Sequence, residues 1–123
     1  MTFARLKSGL LCYICNMNLT IGTENYQAEF NMNTICSIMR DWGAEKFQDL
    51  QVSADIGAQM DFALLCAYHG INEAAAIRGE KATFILIADL GRKVTRFTEL
   101  MQAMSAFTEA VSEFYKSDDE EGK

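Results

Sequence analysis

Between Asn18 and Trp42 the hydrophobic period changes from two residues to about 3.6, and this switch constrains the fold more than any other feature of the chain. In Asn18–Ile21 and again in Tyr26–Phe30 the apolar residues alternate. Leu19 and Ile21 therefore share one face of a strand, and Tyr26, Ala28 and Phe30 one face of the next. The intervening Gly22-Thr23-Glu24-Asn25 contains Gly and Asn, the residues that adopt positive φ at least cost, and predicts a four-residue connection. Beyond Phe30, the residues Met32, Ile35, Ile38, Met39 and Trp42 recur three or four apart and predict one stripe on a short helix. Asn33 is the expected N-terminal cap and Gly43 the left-handed stop. A two-stranded hairpin is marginal alone in water, so helices or a second copy of the chain must cover its apolar face.

The remainder reads as helix. Ala44–Val52 is mixed and reads as a connector pinned by Phe47 and Leu50. Ser53 offers a cap for a helix whose stripe runs through Ile56, Met60, Ala63, Leu64 and Ala67 and which Gly70 is expected to end. Asn72–Arg78 reads as a short alanine-rich helix or turn stopped by Gly79. The continuous apolar run Phe84–Ile87 suits a strand or a buried helix; Thr83 as a cap and Gly91 as a stop favour helix over Lys81–Leu90. Phe97, Leu100, Met101, Met104, Phe107, Val111, Phe114 and Tyr115 predict a long final helix. The expected fold class is thus α+β: a mainly α-helical single domain over residues 17–116 with an N-terminal two-stranded β-hairpin.

Both ends are read separately. In residues 1–16, Arg5 and Lys7 precede the apolar run Gly9–Cys15, which is short for a signal peptide, lacks a small-x-small cleavage pattern, and falls far below the roughly 20 residues of a membrane span. They read as an N-terminal extension, native or not, with Met17 as an alternative initiator. Residues 117–123, Ser-Asp-Asp-Glu-Glu-Gly-Lys, have no apolar anchor and read as an acidic disordered tail. A formal charge of −6 with scattered Lys and Arg argues against phosphate-neutralising nucleic-acid binding. The chain lacks proline, consistent with helices and no rigid linker.

The chemistry-bearing patterns are sparse. Cys12-Tyr13-Ile14-Cys15 has redox or zinc spacing, and Cys66 with His69 could complete a tetrad. The competing reading is a buried structural thiol and an imidazole suited to a helix's last turn. The single histidine restricts any triad to His69, and phosphate-cradling glycine loops are missing, so a non-enzymatic protein without cofactor or metal is expected. Four cysteines without a secretory signal suit reduced thiols in a cytoplasmic setting. Met32, Met39, Met60, Met101 and Met104 lie on apolar stripes, where methionine serves either as core filler or as an adaptable binding surface.

The hairpin Leu19-Thr20-Ile21-Gly22-Thr23-Glu24-Asn25-Tyr26-Gln27-Ala28-Glu29-Phe30, the helix opening Asn31-Met32-Asn33-Thr34-Ile35-Cys36, and the segment Ala63-Leu64-Leu65-Cys66-Ala67-Tyr68-His69-Gly70 follow one another in an order that resembles the tail assembly chaperones of long-tailed bacteriophages and prophages. The likeness covers roughly Met17 to Tyr115 and rests on element order rather than on an invariant motif. It implies a non-enzymatic role in virion assembly in the host cytoplasm, with tape measure protein and tail tube protein as partners. Such a role needs apolar grooves for amphipathic helices, for which Trp42, Met101, Met104, Phe107 and Val111 are the candidate residues. A homo-oligomer through the hairpin's edge strands is a further expectation. The alternative is a small acidic helical regulatory or inhibitor protein that binds a basic host partner.

Overall fold

The computed structural model describes residues 16–43 and 55–122. Strands β1 (Asn16–Ile21) and β2 (Glu24–Glu29) pair antiparallel, with Leu19 opposite Tyr26 and Ile21 opposite Glu24. Helices α1 (Met32–Trp42), α2 (Ile56–Ile77), α3 (Ile87–Gly91) and α4 (Phe97–Gly122) follow. The protein is therefore α+β and mainly helical, as the change of period predicts.

The alternation in the hairpin places Leu19, Ile21, Ala28 and Phe30 in the core, while Asn18, Thr20, Asn25 and Gln27 face outward. That register leaves only Gly22 and Thr23 in the turn, not the expected four residues, because Glu24 and Asn25 are already paired. Gly22 carries a positive φ of +64°. A Cβ there would also stand 3.1 Å from the Lys93 carbonyl oxygen, so this turn has a second reason for glycine.

In α1 the cap is Asn31, not Asn33: the Asn31 side chain accepts from the Thr34 backbone N–H at 3.0 Å. Asn31 also donates its amide to Glu73 on α2 at 2.9 Å, and Asn33 donates to the same carboxylate at 3.4 Å. Thr34, buried, donates its hydroxyl to the Glu29 carbonyl at 2.6 Å, fastening the strand exit to the first helical turn. Gly43 ends α1 with φ +86° as expected. Ile35 and Ile38 are core, whereas Met32 of the predicted stripe is exposed.

The predicted connector Ala44–Val52 and the predicted cap Ser53 lie outside the described residues, as does the Cys12/Cys15 pair. Asp55 caps α2, accepting from the Ala58 N–H at 3.0 Å. Gly70 does not end this helix. It lies inside it because the fully buried Phe30 ring packs where a side chain would stand, and a Cβ would come within 2.8 Å of its Cζ. The expected alanine-rich helix is thus the last part of α2, which Gly79 stops with φ +78°.

β2, α1 and α4 all pack against α2, and β1 packs against α4, so α2 has little free face and its buried residues occur around most of its circumference. On α4 the buried seam is Leu100, Ala103, Ala106, Phe107 and Ala110, in which alanines permit close approach to α2. The predicted helix over Lys81–Leu90 contracts to Ile87–Gly91, and Thr83 caps nothing. The α4 backbone remains helical to Gly122, through the acidic residues 117–122 that read as a disordered tail.

Candidate functional site

The candidate groove residues differ in exposure. Trp42 sits half-buried at the end of α1 with its ring edge-on to Phe62 at 5.0 Å, and Phe62 in turn meets Phe107 at 5.5 Å. Phe107 is buried in this aromatic ladder joining α1, α2 and α4. Val111 is half-buried against the core. Met101 and Met104 line a shallow depression of about 280 Å³ with Ser105, Thr108 and Glu109, all from α4, so it has no second wall.

A better-built concavity opens between α2, the loop after α3 and the start of α4. Met60 and Leu64 form one wall, Val94 lies on the loop, and Phe97 and Leu100 form the other wall, enclosing a cleft of about 300 Å³. Asp61, Thr95 and Arg96 supply its polar rim. Ile56, one turn before Met60 on α2, is 66% exposed and Met60 is 45% exposed, so the apolar ridge continues outward toward the start of α2. A cleft at the small end of ligand-pocket volumes, apolar and open along a helix, suits a few side chains of a partner's helical ridge. Sequence periodicity indicates Ile56 and Met60, but the cleft needs Val94 and Phe97, brought in from 30 or more positions away.

The loop segment Thr95–Arg96 on the cleft rim is fastened by Glu99. Its carboxylate accepts from the Thr95 backbone at 2.9 Å and hydroxyl at 2.8 Å, from the Arg96 backbone at 3.2 Å, and from the Gly22 N–H of the hairpin turn at 3.0 Å. Hydrogen bonds from Thr95 first, and then those from Gly22 and Arg96, hold the carboxyl down at about 2. The loop that carries Val94 is thereby tied at once to α4 and to the sheet.

The other candidate chemistry is engaged structurally. Cys66 is fully buried and burial pushes its thiol well up, away from nucleophilic use. His69 Nε2 lies 2.6 Å from Asp41 Oδ2, linking α2 to α1. Cys36 is exposed. Among the described residues no three His, Cys, Asp or Glu side chains are placed to hold a metal ion. No helix in the same set is long and apolar enough to cross a membrane. Comparison of the chain with protein-family models, with curated proteins and with solved structures found no match.

Proposed function

We propose that this chain is a non-enzymatic tail assembly chaperone that takes an amphipathic helix of a tape measure protein into the cleft between α2 and α4 and helps recruit tail tube subunits in the host cytoplasm. The observation that carries the reading is the apolar cleft of Met60, Leu64, Val94, Phe97 and Leu100, whose rim loop is tied down by Glu99 and whose apolar ridge is extended along α2 by exposed Ile56. Its walls include methionine, which adapts to differing partner side chains and suits a client that must later be released.

The test is isolation of the chain at native levels from phage-infected or prophage-induced cells, with the co-purifying tape measure and tail tube proteins identified by mass spectrometry. Association is expected, and Met60→Asp or Val94→Asp should abolish it, while Phe107→Leu should change stability rather than binding. Failure of the unaltered chain to associate with either protein removes the proposal. Association should also persist in high salt, because apolar contact is poorly screened; an acidic regulator gripping a basic partner would lose it.

A further inference from the structure

One carboxylate joins the start of α4, the loop before it and the hairpin turn. Glu99 Oε1 accepts from the Thr95 and Arg96 backbone N–H groups, whereas Oε2 accepts from the Thr95 hydroxyl and from the Gly22 N–H. One oxygen thus serves the cleft rim alone, and the other is shared with the sheet. Held at about 2, the carboxyl is charged at neutral pH, and bonds to an ionised acceptor are among the stronger ones. The turn meets the same loop at a second point, where a Cβ on Gly22 would stand 3.1 Å from the Lys93 carbonyl oxygen. Thr95 and Arg96 are exposed and line two concavities at once: the apolar cleft of about 300 Å³, and a polar hollow of about 420 Å³ whose other residues include Thr20, Thr98 and Gln102. A segment with open space on both faces has few packing contacts to fix it, so its position falls to its hydrogen bonds.

We infer that Glu99 is the positioning residue of the cleft: it holds Thr95–Arg96 as a wall between the cleft and the polar hollow, and it ties the setting of that wall to the hairpin turn. Released from the carboxylate, the wall shifts into the hollow and the cleft widens at Val94, the next residue along the chain. The loop's other end stays fastened to α3, where the Arg92, Lys93 and Val94 N–H groups donate to the Ala88, Leu90 and Gly91 carbonyls at 3.1, 2.9 and 3.4 Å. Glu99→Gln separates the two arms of the joint, because a carboxamide has a single acceptor oxygen. That oxygen faces the two backbone N–H groups of the rim, since on the opposite side the Thr95 hydroxyl can turn to accept from the new amide. The Gly22 N–H then loses its acceptor. That the wall's setting governs the hold on a client helix rests on the cleft being a binding site, as in the proposed function. The inference adds what regulates that site: the hairpin turn, through Glu99, sets how closely Val94 faces Met60 and Leu64.

Amide hydrogen exchange of the full chain at neutral pH, followed residue by residue by nuclear magnetic resonance, tests it. In Glu99→Ala the Gly22, Thr95 and Arg96 amides should all exchange about tenfold faster or more, as expected when a bond to a charged acceptor is lost. Those of Arg92 and Lys93, in the same loop but bonded to α3, should keep their rates. In Glu99→Gln only Gly22 should speed, Thr95 and Arg96 being rescued. Acceleration that includes Arg92 and Lys93 equally, unchanged rates at Thr95 and Arg96 in Glu99→Ala, or a Glu99→Gln variant that does not separate Gly22 from the rim would each overturn the inference. Isolated from prophage-induced cells, Glu99→Ala should retain less tape measure protein than the unaltered chain, and undiminished retention beside accelerated Thr95 and Arg96 exchange would also overturn it. Exchange rates as expected in a chain that, unaltered, takes up no tape measure protein overturn only the proposed function.

Discussion

Gly70→Ala pits a local rule against the tertiary structure. Inside a helix, alanine is favoured over glycine by about 1 kcal/mol, so a reading confined to α2 expects stabilisation. In this fold the new methyl would stand 2.8, 3.1 and 3.2 Å from three carbons of the Phe30 ring, and Phe30 is fully buried. Overpacking of that kind costs about 1–3 kcal/mol. Setting the middle of that range against the propensity gain leaves a net loss of about 1 kcal/mol. Urea unfolding followed by circular dichroism, with linear extrapolation at unchanged slope, measures it. The decisive comparison is the same substitution in a Phe30→Leu background. Without the ring edge, Gly70→Ala should stabilise by up to about 1 kcal/mol, so the two sites couple by roughly 2 kcal/mol. If Gly70→Ala stabilises equally with and without the phenyl ring, the packing argument is wrong.

Three further expectations follow from the site. The Glu99 carboxyl is lowered from its ordinary 4.5 to about 2, so the stability it confers is complete above pH 4.5 and lost as pH falls toward 2; Glu99→Gln should flatten the stability profile in that window, read by acid titration of ellipticity. Asn72→Ala strands the Phe84 N–H and carbonyl and should cost about 1–3 kcal/mol, with faster hydrogen exchange at Phe84 as the local signature. Exposed Cys36 should be alkylated in the native protein, whereas Cys66, buried and with its thiol pushed up, should react only on unfolding, as peptide mass mapping would show.

What could be read from the chain alone was whatever short-range chemistry decides. The hairpin and α1 follow from a change of period within 25 residues, and Gly43 and Gly79 are stops because positive φ is a local need. Gly70 misleads for the opposite reason: its role is set by Phe30, 40 positions earlier in the sequence. Phe84–Ile87 fits neither regular period because its residues part company, Phe84 entering the core while Ile85 and Leu86 remain outside. On α4, Phe107 and Met101 share one stripe in sequence, and only the packed partner Phe62 separates core from surface. Ala103, Ala106 and Ala110 escape a hydrophobic count because their contribution is small size, which matters only once α2 lies against them.

The bond from Gly22 to Glu99 spans 77 positions of chain. Closing so large a loop is entropically unfavourable and is repaid only when the intervening helices are in place. The Gly22 bond is therefore expected to form late, on the native side of the folding barrier. Weakening it should leave the refolding rate nearly unchanged and quicken unfolding. In a chevron plot of Glu99→Gln the unfolding limb should rise while the folding limb stays put. Glu99 would then govern the lifetime of the assembled hairpin and cleft more than the speed with which they form.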